Sequence, residues 1–385
     1  MTMEVAEFRA ELHAWLDAHH HEVAPDFDPP GTLDQRIAQM QRVKGILYEA
    51  GWMRWGWPER VGGLGGSPML RSELGATMAA RNLADPGVYS LVEVLAPTLI
   101  DYADPDLAAD WVPRLLSGEE MWCQGFSEPG TGSDLATLSC RAVPDGGDPD
   151  TADTWIINGQ KVWTSLAQYS QRCVLLTRTG TPESRHRGIT AFFLDLDTPG
   201  ITVRPIEMIN GEREFTEVFL DDVAVPADRI LGGVHGGWSV AMSILPYERS
   251  SCFWQRIAYL YPRVQRLVDA VDEHDDRAAE AVGNAFLALH TVRARSRATQ
   301  HRLAGGATLG ADTSIDKVLV ASAEQTLYDS IRKCTTGVME LDDTPLGDVA
   351  RIEYLYSRAA TIYGGTAEVQ RNIIARRLLE LGEEG

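Results

Sequence analysis

The chain has 385 residues and a formal charge of −20. That length suits two or three domains and a core large enough to stand without disulfides. The acidity repels polyanions at long range, which argues against nonspecific nucleic-acid binding and against docking on an anionic membrane. It leaves room for a local phosphate site built from a few arginines and helix N-termini.

Cys123, Cys140, Cys173, Cys252 and Cys334 are dispersed, with no CxxC pair and no metal-ligand spacing. They read as reduced thiols serving as small buried hydrophobes, and no metal is expected. The acidic N-terminus lacks the charged and apolar regions of a secretory signal. No apolar run reaches the length of a membrane span, so the expected location is cytoplasmic.

In chain order, residues from about 7 to 118 read as helical. Phe8, Leu12, Trp15 and Leu16 form one apolar helix face, and Ile37, Met40, Val43, Ile46 and Leu47 form another. A glycine-rich loop follows at 58–68, then helical stretches near 72–81 and 105–116. From 119 to 232 the pattern turns to strands. Asn158-Gly159 between two β-prone runs predicts a hairpin. Further strands are expected at 173–177, 191–194, 201–204 and 215–220. From 237 onward helices return, over 238–272, 278–304, 314–338 and 349–361, with a last one from Ala367. Helices, then strands, then a helical bundle make an α+β plan. With no GxGxxG after a strand, a Rossmann domain is not expected.

Three segments carry candidate chemistry. Gly125-Phe126-Ser127-Glu128-Pro129-Gly130-Thr131-Gly132-Ser133-Asp134-Leu135 combines glycines, which allow close backbone approach, with hydroxyls that can donate to ring carbonyls or phosphate. It is equally readable as a polar turn. Lys161-Val162-Trp163-Thr164-Ser165 pairs an indole with a hydroxyl, as a flat heteroaromatic ligand requires, although a core Trp would look the same. Tyr363-Gly364-Gly365-Thr366-Ala367-Glu368-Val369-Gln370 opens a helix behind a glycine pair. Such an N-terminus suits a pyrophosphate, and Thr366 is also explained as a helix cap.

In this order the segments resemble the acyl-CoA dehydrogenase family. The resemblance extends through 199–205, 217–226 and 236–238 and covers about residues 5–382. It implies an N-terminal α-helical domain (1–118), a middle antiparallel β domain (119–232) and a C-terminal four-helix bundle (233–385), with FAD as cofactor. It places Gln124, Phe126, Ser127, Gly132 and Ser133 on the flavin side of the first loop. Trp163 and Ser165 would pack on the ring, with Ser165 near N5, and Thr366 and Glu368 would face the dinucleotide. Ser133, Arg249, Gly364 and Gly365 would meet the thioester substrate, an acyl-CoA or an acyl carrier protein.

The resemblance departs from the common pattern at two places. The usual catalytic Glu after the Tyr of the last motif is replaced by Gly364. A minority of the family places the base on a bundle helix before an Arg, and Tyr247-Glu248-Arg249 matches that position. Glu248 is therefore the expected base, against the plainer reading of a surface Glu paired with an Arg. Pro246 should kink the helix there or start a new one. Secondly, the acidic stretch 271–277 lacks the Arg-containing segment that reaches FAD in an adjacent subunit. That departure, the Gly-Gly motif and Ser314-Ile315-Asp316-Lys317 resemble bacterial members that assemble with a related subunit. The expected activity is α,β-dehydrogenation of an acyl thioester, with electrons passed to an electron-transfer flavoprotein. The alternatives are a flavin oxidase or monooxygenase on the same scaffold, or a low-activity partner subunit of a heteromer.

Overall fold

The computed structural model describes residues 3–28, 31–149, 151–272, 274–307 and 309–382, the side chains of 86–88, 90, 345 and 346 excepted. Two compact units emerge. One comprises residues 1–58, 63–90 and 246–385, and the other 59–62 and 91–245.

The first unit is helical. α1 (Val5–Ala18) buries Phe8, Leu12 and Leu16, the face that the spacing predicts. α2 (Leu33–Glu49) opens with a capping box. The Thr32 hydroxyl accepts from the Gln35 amide, and the Gln35 side chain accepts from the Thr32 amide. α3 (Pro68–Ala80) starts from a Ser67 cap with Pro at its first position and is buried along nearly its whole length. It approaches the bundle closely at Gly75, where a Cβ would lie 2.5 Å from Gln255 Nε2.

α4 (Pro86–Tyr102) is a helix that the periodicity did not reveal. Pro97 lies inside it, and Val92, Val94, Leu95, Ala96 and Leu99 are all buried, so its middle has no polar face to give a 3.6-residue signal. α5 (Pro105–Ser117) is capped by Asp104 and stopped by Gly118 at φ 81°.

The C-terminal helices are α6 (Gly237–Tyr247), α7 (Phe253–Ala270), α8 (Asp276–Ala304), α9 (Thr313–Cys334), α10 (Pro345–Ser357) and α11 (Ala367–Arg377). Pro246 neither ends the helix nor starts a fresh one. α6 passes into α7 through a π turn, Glu248–Cys252, whose flanking residues keep right-handed helical dihedrals. The bundle core is Ile257, Leu260, Val264, Leu289, Val292 and Leu327 with their neighbours. Within it Arg256 forks onto Glu324, at 2.7 and 3.2 Å, while Tyr328 donates to Glu353 at 2.7 Å and Tyr259 also donates to Glu353. Burial pushes the Glu353 carboxyl up, but Arg263, Arg256 and the two tyrosines outweigh it and bring it down to about 2.

The second unit holds α5, most of α4 and α6, and the sheet. Its strands are β1 (Trp122–Gly125), β2 (Arg141–Pro144), β3 (Thr154–Ser165), β4 (Arg172–Arg178), β5 (Ile189–Asp195), β6 (Ile201–Pro205), β7 (Phe215–Pro226) and β8 (Ile230–Leu231). They run in the order β6-β7-β3-β2-β4-β5-β8, with β1 paired to β4. Most pairings are antiparallel, and β1 and β2 each pair in parallel with β4.

Asn158-Gly159 is not a hairpin turn. β3 runs straight through it, and the register against β7 shifts between Ile157 and Gly159. The opposing Asp222 takes φ 47° and exchanges two hydrogen bonds with the Asn158 side chain, both 2.9 Å. Gly159 is required because a Cβ would sit 2.7 Å from the Cα of Cys140, the residue just before β2. Cys123, Cys140 and Cys173 lie in the sheet core, Cys252 and Cys334 are half-buried, and all five are free thiols.

Candidate functional site

The sequence-predicted residues fall into two groups, one in each unit. In the helical unit, the π turn carries Glu248 and Arg249, both half-buried. The chain returns to this turn at Gly364-Gly365, where both residues adopt positive φ, 62° and 88°. Here glycine is favoured by conformation, and a side chain would also displace the ends of neighbouring side chains. A Cβ on Gly364 would lie 2.6 Å from Glu248 Oε1, and a Cβ on Gly365 would lie 2.4 Å from Gln370 Nε2 and 3.3 Å from a terminal nitrogen of Arg249. The Glu248 carboxylate thus occupies the space into which a side chain at 364 would project.

Arg249 Nε donates to the Gly364 carbonyl at 3.4 Å. Burial lowers the proton affinity of Arg249, and the Glu248 charge opposes that. Thr366 caps α11 by accepting from the Val369 amide at 3.2 Å. Glu368, in the first turn of α11, is exposed and lies 3.7 Å from Arg371.

In the β unit, Gln124 lies in β1, and the loop after that strand carries Phe126, Ser127, Gly132 and Ser133. Phe126 is buried, Ser127 is half-buried, and Gly132 and Ser133 are exposed. The loop is stapled to β3 by a pairing that the sequence analysis did not foresee, between residues of two of its candidate segments. Lys161, fully buried, donates to Glu128 at 2.8 Å and to the Phe126 carbonyl at 3.2 Å. Glu128 also accepts from the Ser139 amide and hydroxyl and from the Cys140 amide, at 2.7, 2.7 and 2.8 Å. Burial raises the Glu128 carboxyl, but Lys161 and these amides lower it further, so it stays ionised. The available signal was a Lys among inward-facing strand residues, which a core tolerates only when it is paired.

The Lys161–Glu128 staple brings the Ser127 carbonyl to the Val162 amide at 2.9 Å, beside Trp163. Trp163 departs from the reading of a core tryptophan. The β3–β7 register slips between Lys161 and Thr164, Trp163 takes φ 60°, and the residue is 59% exposed, with its ring edge-on to Phe215 at 6.1 Å. A bulky residue held left-handed with its apolar face turned outward is a strained arrangement of the kind found at ligand sites. Ser165, at the end of β3, is half-buried.

Three family models match the chain end to end. The N-terminal domain of acyl-CoA dehydrogenase matches residues 2–119, the middle domain 123–223 and the C-terminal domain 235–379. The protein belongs to the acyl-CoA dehydrogenase family. Among curated acyl-CoA dehydrogenases, IpdE1 of Mycobacterium tuberculosis is 36% identical over 99% of both chains. Among solved structures, the ChsE4-ChsE5 complex from M. tuberculosis superposes with a TM-score of 0.81, at 24% identity over 100% of this chain and 99% of that one. The acyl-CoA dehydrogenase from Geobacillus kaustophilus superposes at 0.82, with 21% identity over 98% of each chain. At these identities the structural neighbours establish the fold.

As a member of this family the protein is an FAD-dependent oxidoreductase. Its residues fit that cofactor on two independent observations. The outward Trp163 indole offers a flat apolar face. Gly130 and Gly132 have neither a positive φ nor any protein atom within 4 Å of a Cβ, so nothing inside the chain requires glycine there. Bare backbone of this kind permits a ligand to approach its amides closely. Among the described residues no cluster of His, Cys, Asp or Glu is arranged to hold a metal ion, and no helix is long and apolar enough to cross a membrane.

Proposed function

We propose that the protein dehydrogenates an acyl-CoA between its α and β carbons, giving the trans-2-enoyl thioester, with Glu248 as the base. One observation carries this reading. The Glu248 carboxylate fills the space beside Gly364 that a side chain at 364, the more common position of the family's base, would claim.

Glu248 removes the α-proton, and the electron pair of that bond becomes the new carbon–carbon π bond. FAD, when bound, supplies the acceptor for the β-hydride. Arg249, turned towards the Gly364 carbonyl, and Ser133, exposed at the tip of its loop, are proposed thioester contacts with Gly364 and Gly365. Hydrogen bonds to the thioester oxygen stabilise the enolate-like charge as it develops. Gln124, Phe126, Ser127, Gly132, Ser133, Trp163, Ser165, Thr366 and Glu368 are the proposed FAD contacts. The proposed functional division is 1–118, 119–232 and 233–385.

The proposed electron acceptor is an electron-transfer flavoprotein, and the proposed location is cytoplasmic. Stoichiometric oxygen consumption would replace the acceptor reading with an oxidase or monooxygenase. Assembly with a related subunit is the second part of the reading. It rests on the acidic stretch 271–277, where Asp275 caps α8 through the amides of Arg277 and Ala278. Glu273 lies outside the described residues. A flavin-loaded homotetramer on size exclusion would remove the heteromer, and a colourless protein that cannot take up FAD would favour the partner-subunit alternative.

The test of the base is anaerobic flavin bleaching by a panel of acyl-CoAs, on wild type and Glu248→Gln. A fall of about 10³-fold is expected, in the range of a lost general base. Undiminished bleaching would overturn the assignment.

A further inference from the structure

Lys317, in the second turn of α9, is 1% exposed. Its ammonium donates to the carbonyl of Ala360 and lies 4.1 Å from the centre of the Tyr363 ring and 5.7 Å from that of Phe253. These contacts bracket the glycine turn. Ala360 and Tyr363 precede Gly364 on one side, and Phe253 directly follows the π turn that carries Glu248 on the other. A buried ammonium is costly unless carboxylates answer it. The two carboxylates that act on it are Glu248 and, less strongly, Glu324. Glu324 is already committed to the Arg256 fork at 2.7 and 3.2 Å.

We propose that Lys317 is a positioning residue for Glu248. Its ammonium fixes the turn at Ala360–Gly365 against which the Glu248 carboxylate lies, and its positive charge attracts that carboxylate. The inference rests on the reading of Glu248 as base.

The groups that set this field are Glu248 and Arg249 from the π turn, Glu324 and Lys317 from α9, and the Tyr363 ring. Burial pushes the Lys317 ammonium down to about 8, with Glu248 and then Glu324 pulling it up and Arg249 pushing it down. Lys317 is therefore mostly charged near neutrality and loses its proton just above it. At lower pH the cation is fully present.

The test uses Lys317→Met, which keeps the stem and removes the charge, and Lys317→Arg, which restores it. The acid limb of flavin reduction by acyl-CoA should move up by about one pH unit in the Met variant, as loss of a nearby opposite charge requires. It should return toward the wild-type position in the Arg variant. A Met variant with lower activity but an unmoved acid limb would reduce Lys317 to a packing role and overturn the proposal.

A measurement on wild type covers the case in which the Met variant fails to fold. With ¹³C-labelled glutamate side chains, and the resonance of residue 248 assigned by its loss in Glu248→Gln, a second inflection near pH 8 should report Lys317 losing its proton. A flat titration between pH 7 and 9 would also overturn the proposal. The base reading fails separately, since bleaching that survives Glu248→Gln rejects it whatever the coupling shows.

Discussion

Trp163 and Glu248 reach their positions by opposite routes. Trp163 is placed by the backbone of its own strand, through a register slip and a left-handed φ within four residues of β3. Glu248 is placed by a remote partner: its neighbour Arg249 meets the Gly364 carbonyl across 115 residues of sequence. The β unit thus makes its candidate surface from local irregularity braced by one buried ion pair. The helical unit makes its own from regular helices that are interrupted once, at the π turn, and matched to a glycine pair far along the chain. Local devices fail when their brace is removed. Remote ones fail when the distant partner changes shape.

Removing the brace should give the largest effect. Lys161→Met leaves Glu128 buried without its cation, and a loss of about 3–5 kcal/mol is expected in urea unfolding. A loss under about 1 kcal/mol would mean that the Ser139 and Cys140 amides suffice to hold the loop, and the contrast between the units would weaken.

The charged network of the helical unit should respond to pH. Glu353 is near 4.5 when unfolded and about 2 when folded. Its contribution is complete above about pH 4.5 and is lost as pH falls through about 2. Over that window roughly 3 kcal/mol should disappear, and Glu353→Gln should abolish this part of the acid dependence. An unchanged acid profile in the variant would show that other carboxylates govern acid unfolding.

The smallest effect on stability, and the most specific, is expected from Gly364→Ala. The left-handed φ costs about 1–2 kcal/mol, and the new methyl group, 2.6 Å from Glu248 Oε1, must push the carboxylate aside. Because the displaced atom is the end of a flexible side chain, folding should survive while flavin reduction falls by about tenfold, the loss expected from a misplaced catalytic group. Unaltered reduction would show that Glu248 need not rest against residue 364.

Much of this was legible in the sequence because it is local. The apolar face of α1, the Thr366 cap and the order of helices, strands and helices all follow from spacing within a few residues. The hairpin at Asn158-Gly159 was misread for the same reason. The dipeptide carries a turn signal, but the constraint that selects glycine is Cys140, just before β2, which no local window contains. α4 escaped notice because burial all along 92–99 erases the polar face on which periodicity depends.

The order of motifs alone determined the family, the succession of elements and the chemistry to look for, since these reside in residue type and spacing. Only the tertiary structure decided that Trp163 faces outward, that Lys161 and Glu128 hold the first loop, and that Glu248 lies where a side chain on Gly364 would stand. Each of these depends on atoms brought within about 3–6 Å from distant parts of the chain, where sterics and electrostatics act over distances that sequence separation does not encode.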